Sequence, residues 1–435
     1  MAINSKNKVP EFSIEQEQNE FAASTEREKI KGSKNLNVPP LRFPEFTDEW
    51  TKSTIGDCFE LYSGNTPSRL DKKNFSGEIN WITSGELKEH YIGETKEHIS
   101  EEVVKENNLK LIPVGTFVIA IYGLEAEGVR GTGSITMQKS TISQACMAFT
   151  PTSMITNEFL YSWYKKHGNA IGIKYAQGTK QQNLCYEIIE KFKIQYPSLK
   201  EQEKLNHFIS LLDERIATQS RIIDKLQSLI KGLNDSFHNI EEGDLISFDE
   251  IGRAYSGLTG KSGDDFGHGS PYITYLNVFQ NNIVDEGQTG LVSVDANENQ
   301  NTVSYGDVLF TLSSETPEET GIGCVYLGQA DKYYLNSFCF GITITKPNKV
   351  YQPYLAHLVS SLKFRKFVYP LAQGSTRFNL QKNDFMRKKF MLLPFEKQKE
   401  ISTILDTLHN RLSAECKFID LYRKQKAYLL HNLFI

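Results

Sequence analysis

The sequence has no apolar stretch approaching the ~20 residues that a membrane-spanning helix needs. Its opening run, MAINSKNKVPEFSIEQEQNE, also lacks the apolar core of a signal peptide. Neither a membrane partner nor a transmembrane helix is expected, and the cytoplasm is the expected compartment. Paired cysteines are missing as well. The six cysteines (Cys58, Cys146, Cys185, Cys324, Cys339 and Cys416) are scattered with no Cys-x-x-Cys, and most sit among apolar neighbours. Buried free thiols in a reducing compartment are expected rather than disulfides or zinc ligands. An excess of positive charge is absent too: 49 basic residues face 53 acidic ones, for a net charge of −4. The sum alone does not give the basic footprint usual in nucleic-acid binders.

Catalytic motifs are equally scarce. No G-x-G-x-x-G follows a strand, no H-E-x-x-H or G-x-S-x-G occurs, and the nine histidines do not fall at metal-ligand spacings. Gly257-Leu-Thr-Gly260-Lys261-Ser262 resembles part of a phosphate-binding loop, but two residues separate its glycines where four are needed, and Asp264-Asp265 follow. The Asn-Pro-Pro-aromatic loop of adenine amino-methyltransferases is missing, and Asn37-Val-Pro39-Pro40 is not that motif. Nothing pairs a nucleophile with its base, so no catalytic residue, metal site or cofactor of the chain's own is expected.

What the chain does have is 435 residues of ordinary globular composition, 39% apolar and 23% charged, enough for two or three domains. The basic residues cluster. Lys165, Lys166, Lys174, Lys180, Lys191 and Lys193 lie in one stretch, and Lys363, Arg365, Lys366, Arg377, Lys382, Arg387, Lys388 and Lys389 in another. Each stretch is either a solvated face or a phosphate-facing surface.

The strongest signal is self-similarity. Gln177-Gly178-Thr179-Lys180-Gln181-Gln182-Asn183-Leu184 returns as Gln373-Gly374-Ser375-Thr376-Arg377-Phe378-Asn379-Leu380, an offset of 196. Pro197 with Gln202, or Pro394 with Gln398, follows each copy and leads into a long amphipathic run. Upstream, Ile55-Gly56 matches Ile251-Gly252, and Tyr62-Ser63-Gly64-Asn65-Thr66 matches Tyr255-Ser256-Gly257-Leu258-Thr259. Trp81-Ile-Thr83 echoes Tyr272-Ile-Thr274, and Val114–Ile119 echoes Tyr305–Phe310. The chain is a tandem duplication of a globular module followed by a helix.

Leu205, Phe208, Leu212, Ile216, Ile223, Leu226, Ile230, Leu233 and Phe237 recur at helical spacing, interrupted at Gln219. So do Ile401, Leu405, Leu408, Leu412, Ile419, Tyr422, Leu429 and Leu433, weakened near Glu415 and Lys426. Sustained a/d spacing predicts coiled-coil pairing of two helices, each about 55–60 Å long at 1.5 Å per residue. Duplication about a pseudo-twofold axis makes them antiparallel. The modules read as mixed α and β, with strands over Thr116–Tyr122, Thr141–Phe149, Asp307–Leu312 and Phe338–Thr345 and shorter helices over Asn157–His167 and Tyr351–Phe367. Residues 1–40 read as a polar tail, in which Pro10–Glu17 faintly echoes Pro197–Glu203.

With these residues in view, positions 41–435 resemble the specificity subunits of type I restriction–modification systems. The resemblance rests on Ser63–Ser68 with Ile79–Leu87, on Gly306–Thr311, and above all on Gln177-Gly178…Asn183-Leu184…Pro197…Glu201-Gln202 and its second copy. That copy has Lys397 in place of Glu201 and one residue fewer between Pro394 and Gln398; Gly-x-Thr-Pro is reduced to Gly257-Leu-Thr-Gly260. The resemblance implies an α+β fold in which two mixed α/β target recognition domains, related by pseudo-twofold duplication, are separated by a long antiparallel two-helix coiled coil. The expected boundaries are a tail at 1–40, recognition domains at 41–196 and 241–393, and long helices at 197–240 and 394–435. Each domain is expected to read half of a split site in double-stranded DNA. The helices are expected to space the readers and dock two methyltransferase subunits, joined by restriction (motor–nuclease) subunits. S-adenosylmethionine, ATP and Mg²⁺ are expected on those partners only. A free-standing two-headed DNA-binding regulator is the alternative.

Base readout needs amides or guanidinium groups at base edges, and phosphates need cations or small donors. In the first module the candidates are Ser63, Gly64, Asn65, Thr66, Arg130, Lys139, Lys180, Gln181 and Gln182. In the second they are Ser256, Thr259, Lys261, Asn277, Ser313, Ser314 and Arg377. Tyr62, Trp81, Tyr255 and Tyr272 are expected in the core instead.

Overall fold

A computed structural model describes residues 37–329 and 332–435; the tail up to residue 36, with its Pro10–Glu17 echo, lies outside the described residues. The chain forms two compact units, one running to Glu214 and resuming over Arg423–Ile435, the other spanning Arg215–Tyr422.

In the first unit, strands β1 (Thr51–Thr54), β2 (Phe59–Ser63), β3 (Ile79–Ile82), β4 (Tyr91–Ile92) and β5 (His98–Ile99) precede β6 (Phe117–Ala120), β7 (Gly133–Thr136), β8 (Ser140–Ile142), β9 (Cys146–Pro151) and β10 (Lys193–Tyr196). The main sheet has the order β2-β9-β6-β7-β4, a second runs β5-β3-β8, and β1 pairs with β10. Every residue of β6 and β7 is buried, as expected where both faces of a sheet are covered. Helix α1 (Asn157–Tyr175) packs across this sheet, and Phe117 meets Phe149 and Tyr164 at ring-centre distances of 5.5 and 5.7 Å. Helix α2 follows over Leu199–His238.

The second unit repeats the plan. Its strands are β11 (Asp244–Ile246), β12 (Gly252–Ser256), β13 (Phe266–Ile273), β14 (Thr289–Val292), β15 (Val308–Thr311), β16 (Ser313–Ser314) and β17 (Gly323–Val325), then β18 (Tyr334–Leu335), β19 (Cys339–Ile344), β20 (Ala372–Gln373), β21 (Phe378–Leu380) and β22 (Phe390–Leu392). The order β12-β19-β15-β17 mirrors β2-β9-β6-β7, β13-β18 mirrors β3-β8, and β11-β22 mirrors β1-β10. The predicted α+β fold with two repeated modules is the fold observed.

Two elements differ from expectation. The run Thr141–Phe149 is two strands, because Ser143 turns the chain: its N–H donates to Ile82 O, and Cys146 N–H donates back to Ser143 O. The helix expected over Tyr351–Phe367 is two, α3 (Gln352–Ser360) and α4 (Leu362–Val368). Ser361 separates them. Its hydroxyl donates to Leu358 O at 2.7 Å and accepts from Phe364 N–H at 3.2 Å, so one serine ends a helix and caps the next.

Helix α5 spans Phe395–Leu433. Within the second unit its pairing with α2 is antiparallel: Phe237 and Leu233 lie with Ile401 and Leu405 at one end, and Arg215 donates to Tyr422 Oη at 3.0 Å at the other. Within the first unit Lys426 pairs with Asp213 at 2.5 Å, and Leu205, Ile209 and Leu433 join the core. The phase break at Gln219 is a buried polar layer, since its amide donates to the Glu415 carboxylate. One such polar layer in an apolar seam favours a single register.

A buried glutamine ties each helix start to its module. Gln202 Oε1 accepts from Thr156 N–H at 2.9 Å, while Nε2 donates to Met154 O at 2.7 Å and Pro197 O at 3.0 Å. Gln398 repeats this: Oε1 accepts from Tyr351 N–H at 2.8 Å, and Nε2 donates to Lys349 O at 3.0 Å and Leu393 O at 2.7 Å. In both, one acceptor lies five residues upstream of the glutamine. Register is therefore set by the glutamine, and Pro394 is free to sit one residue nearer. Beside it the charges are exchanged. Glu201, buried, takes a bidentate pair from Arg42 and an indole bond from Trp50; Lys397 pairs with Glu242 instead.

Replacing either glutamine by alanine strands one amide N–H and two carbonyls in the interior. Gln202→Ala and Gln398→Ala should each lower unfolding stability by about 2–4 kcal/mol in urea titrations. Exposed Lys200→Ala should stay within about 0.5 kcal/mol of the parent.

Candidate nucleic-acid interface

In each unit, four backbone segments meet at one end of the main sheet. The first is the loop after β2. Gly64 N–H donates to Cys146 O and Asn65 N–H to Ile142 O, at 3.3 and 3.2 Å. The backbones approach so closely that a Cβ on Gly64 would lie 2.0 Å from Ile142 O. After β12 the same loop recurs: Gly257 N–H donates to Cys339 O, Leu258 N–H to Leu335 O, and a Cβ on Gly257 would lie 2.1 Å from Asn336 O.

The second segment is the turn before β9 or β19, and the third is the stretch after β6 or β15. Ile121 N–H donates to Ala145 O at 2.9 Å, as Leu312 N–H does to Phe338 O at 2.8 Å. The fourth is a hairpin hung on the third: Leu184 N–H donates to Ile121 O, and Leu380 N–H to Leu312 O, both at 2.8 Å. Gln177 and Asn183 close the first hairpin with reciprocal bonds of 2.8 and 2.9 Å; Gln373 and Asn379 pair in the second. Gly178 at φ +114° and Gly374 at φ +150° make the turns in a region that disfavours side chains.

The structure divides the expected site residues. Ser63, Asn65, Lys180, Gln181, Ser256, Thr259 and Arg377 are exposed on this edge, with Gly64 and Thr66 half-buried beside them. Gln182 is held, its N–H donating to Glu125 Oε2 at 2.7 Å and its Oε1 accepting from Arg130 at 2.8 Å. Arg130, half-buried, is thus a brace of the first hairpin. Arg377 stands 5.9 Å over the ring of Phe338, which is itself exposed.

Other candidates are serving the fold. Asn277 is 1% exposed, its amide donating to Asp285 O and Gln288 O while its Oδ1 accepts from Asp285 N–H, so it organises a loop and has no free edge. Ser313 and Ser314 are buried where β16 pairs with β21; Ser313 O accepts from Tyr275 Oη, and Ser314 Oγ donates to Glu319. Lys261 is spent on Glu298 at 2.5 Å, with 6% of its side chain exposed. Lys139 is exposed but follows β7, whose Ile135 pairs with Phe117. It therefore leaves the sheet at the end opposite Ala120, Cys146 and the Ser63 loop.

Three side chains of the basic stretches are spent on backbone carbonyls. Lys166 donates to His431 O and Phe434 O, Arg365 to Glu318 O and Thr320 O, and Lys388 to Phe367 O, at 2.7–2.8 Å. Burial pulls the pKa of Lys166 and Arg365 below their ordinary values. Of the four aromatics, Trp81 is buried, Tyr255 is half-buried and donates to Asp307 at 2.7 Å, and Tyr62 and Tyr272 are half-buried.

Sequence reasoning missed Gln144, Ser337 and Phe338, exposed in the turns before β9 and β19. The signal was there, since Ser143–Cys146 and Asn336–Cys339 take equivalent places in the two copies. The edge offers amides, hydroxyls and one exposed cation per hairpin, a set suited to base edges and phosphates. Among the described residues, no three His, Cys, Asp or Glu side chains gather as metal ligands.

A family model described as the type I restriction modification DNA specificity domain matches residues 47–228 and again 243–417. The MjaIX specificity subunit of Methanocaldococcus jannaschii is 27% identical over 211 residues, 47% of this chain and 48% of that protein. The EcoR124I/EcoR124II specificity subunit of Escherichia coli is 26% identical over 177 residues, 40% and 43% of the two chains. The chain thus spans about half the length of these two relatives. The MjaVIII specificity subunit of M. jannaschii is 23% identical over 414 residues, covering 90% and 93%. Among solved structures, the type I S subunit from M. genitalium aligns with TM-score 0.52 at 16% identity, over 92% of this chain and 99% of that one. The HsdS subunit from Thermoanaerobacter tengcongensis aligns with TM-score 0.50 at 14% identity, over 91% and 98%. At such identities the structural likeness concerns the fold.

The hairpin glycines are the sharpest test of this edge. A Cβ on Gly178 would lie 1.9 Å from Gln181 O, and one on Gly374 2.0 Å from Arg377 O. Gly178→Ala should therefore release the hairpin, speeding amide exchange at Gln177 and Asn183 by tenfold or more, while β6 and β9 keep their protection. Each added strain is on the order of 1–3 kcal/mol.

Proposed function

The chain belongs to the type I restriction–modification DNA specificity family, and we propose that it is the DNA-reading subunit of a type I complex and carries out no chemistry itself. One observation carries this reading: the same glycine loop and glycine hairpin recur at the same sheet end of both units, with different side chains displayed on each. Equal backbones with unequal side chains suit two readers of unlike half-sites in double-stranded DNA. The names of the relatives, all specificity subunits of type I restriction enzymes, point the same way.

Lys180 and Arg377 would position phosphates; Asn65, Gln181, Ser256, Thr259 and the neighbouring Gln144 and Ser337 would face base edges. The helices supply the partner surface. Leu211 and Tyr428 in the first unit, and Ile222, Leu229, Ile404, Phe418 and Leu421 in the second, leave large apolar side chains in the open. Such side chains mark protein contact sites when they gather. Two repeated units fit two methyltransferase subunits, with restriction subunits joining them. S-adenosylmethionine, ATP and Mg²⁺ belong to those partners.

In the assembled methyltransferase complex, Arg377→Ala and Lys180→Ala should each weaken binding to every DNA sequence alike. Each should also reduce the slope of log affinity against log salt by about 1. Gln181→Ala should change sequence preference, with a cost of about 1–3 kcal/mol confined to the cognate base pair. Unchanged salt slopes in both cation variants would exclude these hairpins from the interface.

Mass measurement of the co-expressed complex should give one copy of this chain with two methyltransferase subunits. A stable one-to-one complex at saturating partner would contradict the reading of two equivalent docking surfaces.

A further inference from the structure

The two sheet ends share their backbone but not their apolar surface. The turn before β19 repeats the turn before β9: Cys339 N–H donates to Asn336 O and Cys146 N–H to Ser143 O, both at 3.0 Å. Phe338 therefore takes the place of Ala145. Each of these two carbonyls accepts from the stretch after the central strand, Leu312 N–H at 2.8 Å or Ile121 N–H at 2.9 Å. The hairpin glycines align Arg377 with Gln181, because a Cβ on Gly374 or Gly178 would meet the carbonyl oxygen of that residue. Ala145 and Gln181 in the first unit thus become Phe338 and Arg377 in the second.

Phe338 is 55% exposed, and no other large apolar side chain among the described residues of these segments, in either unit, is as open. The turn itself does not call for a ring, since Ala145 makes the same turn. Its backbone is pinned on both sides: Phe338 N–H donates to Asn336 Oδ1 at 2.9 Å, and its carbonyl accepts from Leu312. The ring is therefore displayed from a fixed point, which lowers the cost of ordering it on binding. The guanidinium of Arg377 stands 5.9 Å over this ring. Arg377 is exposed, and among the described residues no ion pair or side-chain hydrogen bond holds it.

A phenyl ring held in water gains free energy only by covering apolar surface. On the major-groove edge of DNA the 5-methyl group of thymine is the apolar feature, and phenylalanine is among the side chains that meet it. That methyl stands beside the phosphate on the 5′ side of its own nucleotide. A cation on the phosphate and a ring on the methyl are then neighbours, as Arg377 and Phe338 are.

We propose that Phe338 is a specificity-determining residue of the second unit, selecting thymine at one position of its half-site through the 5-methyl group. Arg377, on the adjacent phosphate, holds the strand against the ring. This rests on the reading of the sheet end as a DNA interface. The first unit, with Ala145 in that place, lays no ring on the corresponding base.

The test uses the assembled complex with its methyltransferase and duplexes carrying the bound motif, in which each thymine in turn is replaced by uracil. One thymine should prove sensitive, its uracil duplex binding about three- to tenfold more weakly, the worth of one buried methyl group. It should lie in the half-site that persists when residues 41–195 are exchanged. Phe338→Ala should bind the thymine and uracil duplexes equally, with the salt dependence of the parent, whereas Phe338→Leu should keep a preference for thymine. The inference alone is overturned if the complex prefers its motif yet no thymine in that half-site is sensitive, or if the sensitivity survives in Phe338→Ala. A complex that binds every duplex alike overturns the DNA-reading function itself, and this inference with it.

Discussion

The structure depends on one buried side-chain amide per unit. Gln202 and Gln398 are fully buried, and each satisfies one N–H and two carbonyls that no regular secondary structure reaches. Each amide fixes three things at once: where the long helix begins, where the shorter helix on the sheet begins, and the turn between them. An unpaired amide in that place costs more than the bond is worth, so the geometry is all-or-none. The apolar stripes of α2 and α5 then meet their modules in one register, with Leu205 and Ile209 buried at positions equivalent to Ile401 and Leu405.

What duplication kept and what it changed are distinct. Backbone devices were kept: the glycine loop pressed on a neighbouring strand, the hairpin hung on the stretch after the central strand, the glutamine clamp. Side chains around them drifted wherever a compensating partner could follow, as in the exchange of Arg42–Glu201 for Glu242–Lys397. The displayed edge drifted furthest, from Lys180-Gln181 to Thr376-Arg377. A scaffold of this kind lets a reading surface vary without loss of fold.

Much of the fold was legible in the sequence because it rests on periodicity and repetition. The helical stripes, the two-module organisation and the paired motifs all follow from spacing. The motif Pro…Gln was visible as a repeat, but its role was not, because nothing in a sequence says that a glutamine is buried. The same limit misplaced Asn277, Ser313 and Ser314, whose polarity serves internal bonds rather than a surface. Lys139 lies apart from the other candidates because strand direction carries it to the far end of the sheet. Within the basic stretches, Lys166, Arg365 and Lys388 cap backbone carbonyls, a use that counting charges cannot reveal.

The central claim is that each unit reads its own half of a split DNA site. Mapping methylated adenines genome-wide tests it most directly, in cells carrying this chain and in cells where residues 41–195 are replaced by the matching region of a relative. The account predicts a bipartite methylated motif in which only one half changes while the other half stays the same. A motif that changes in both halves, or methylation indifferent to the loss of this chain, would contradict it.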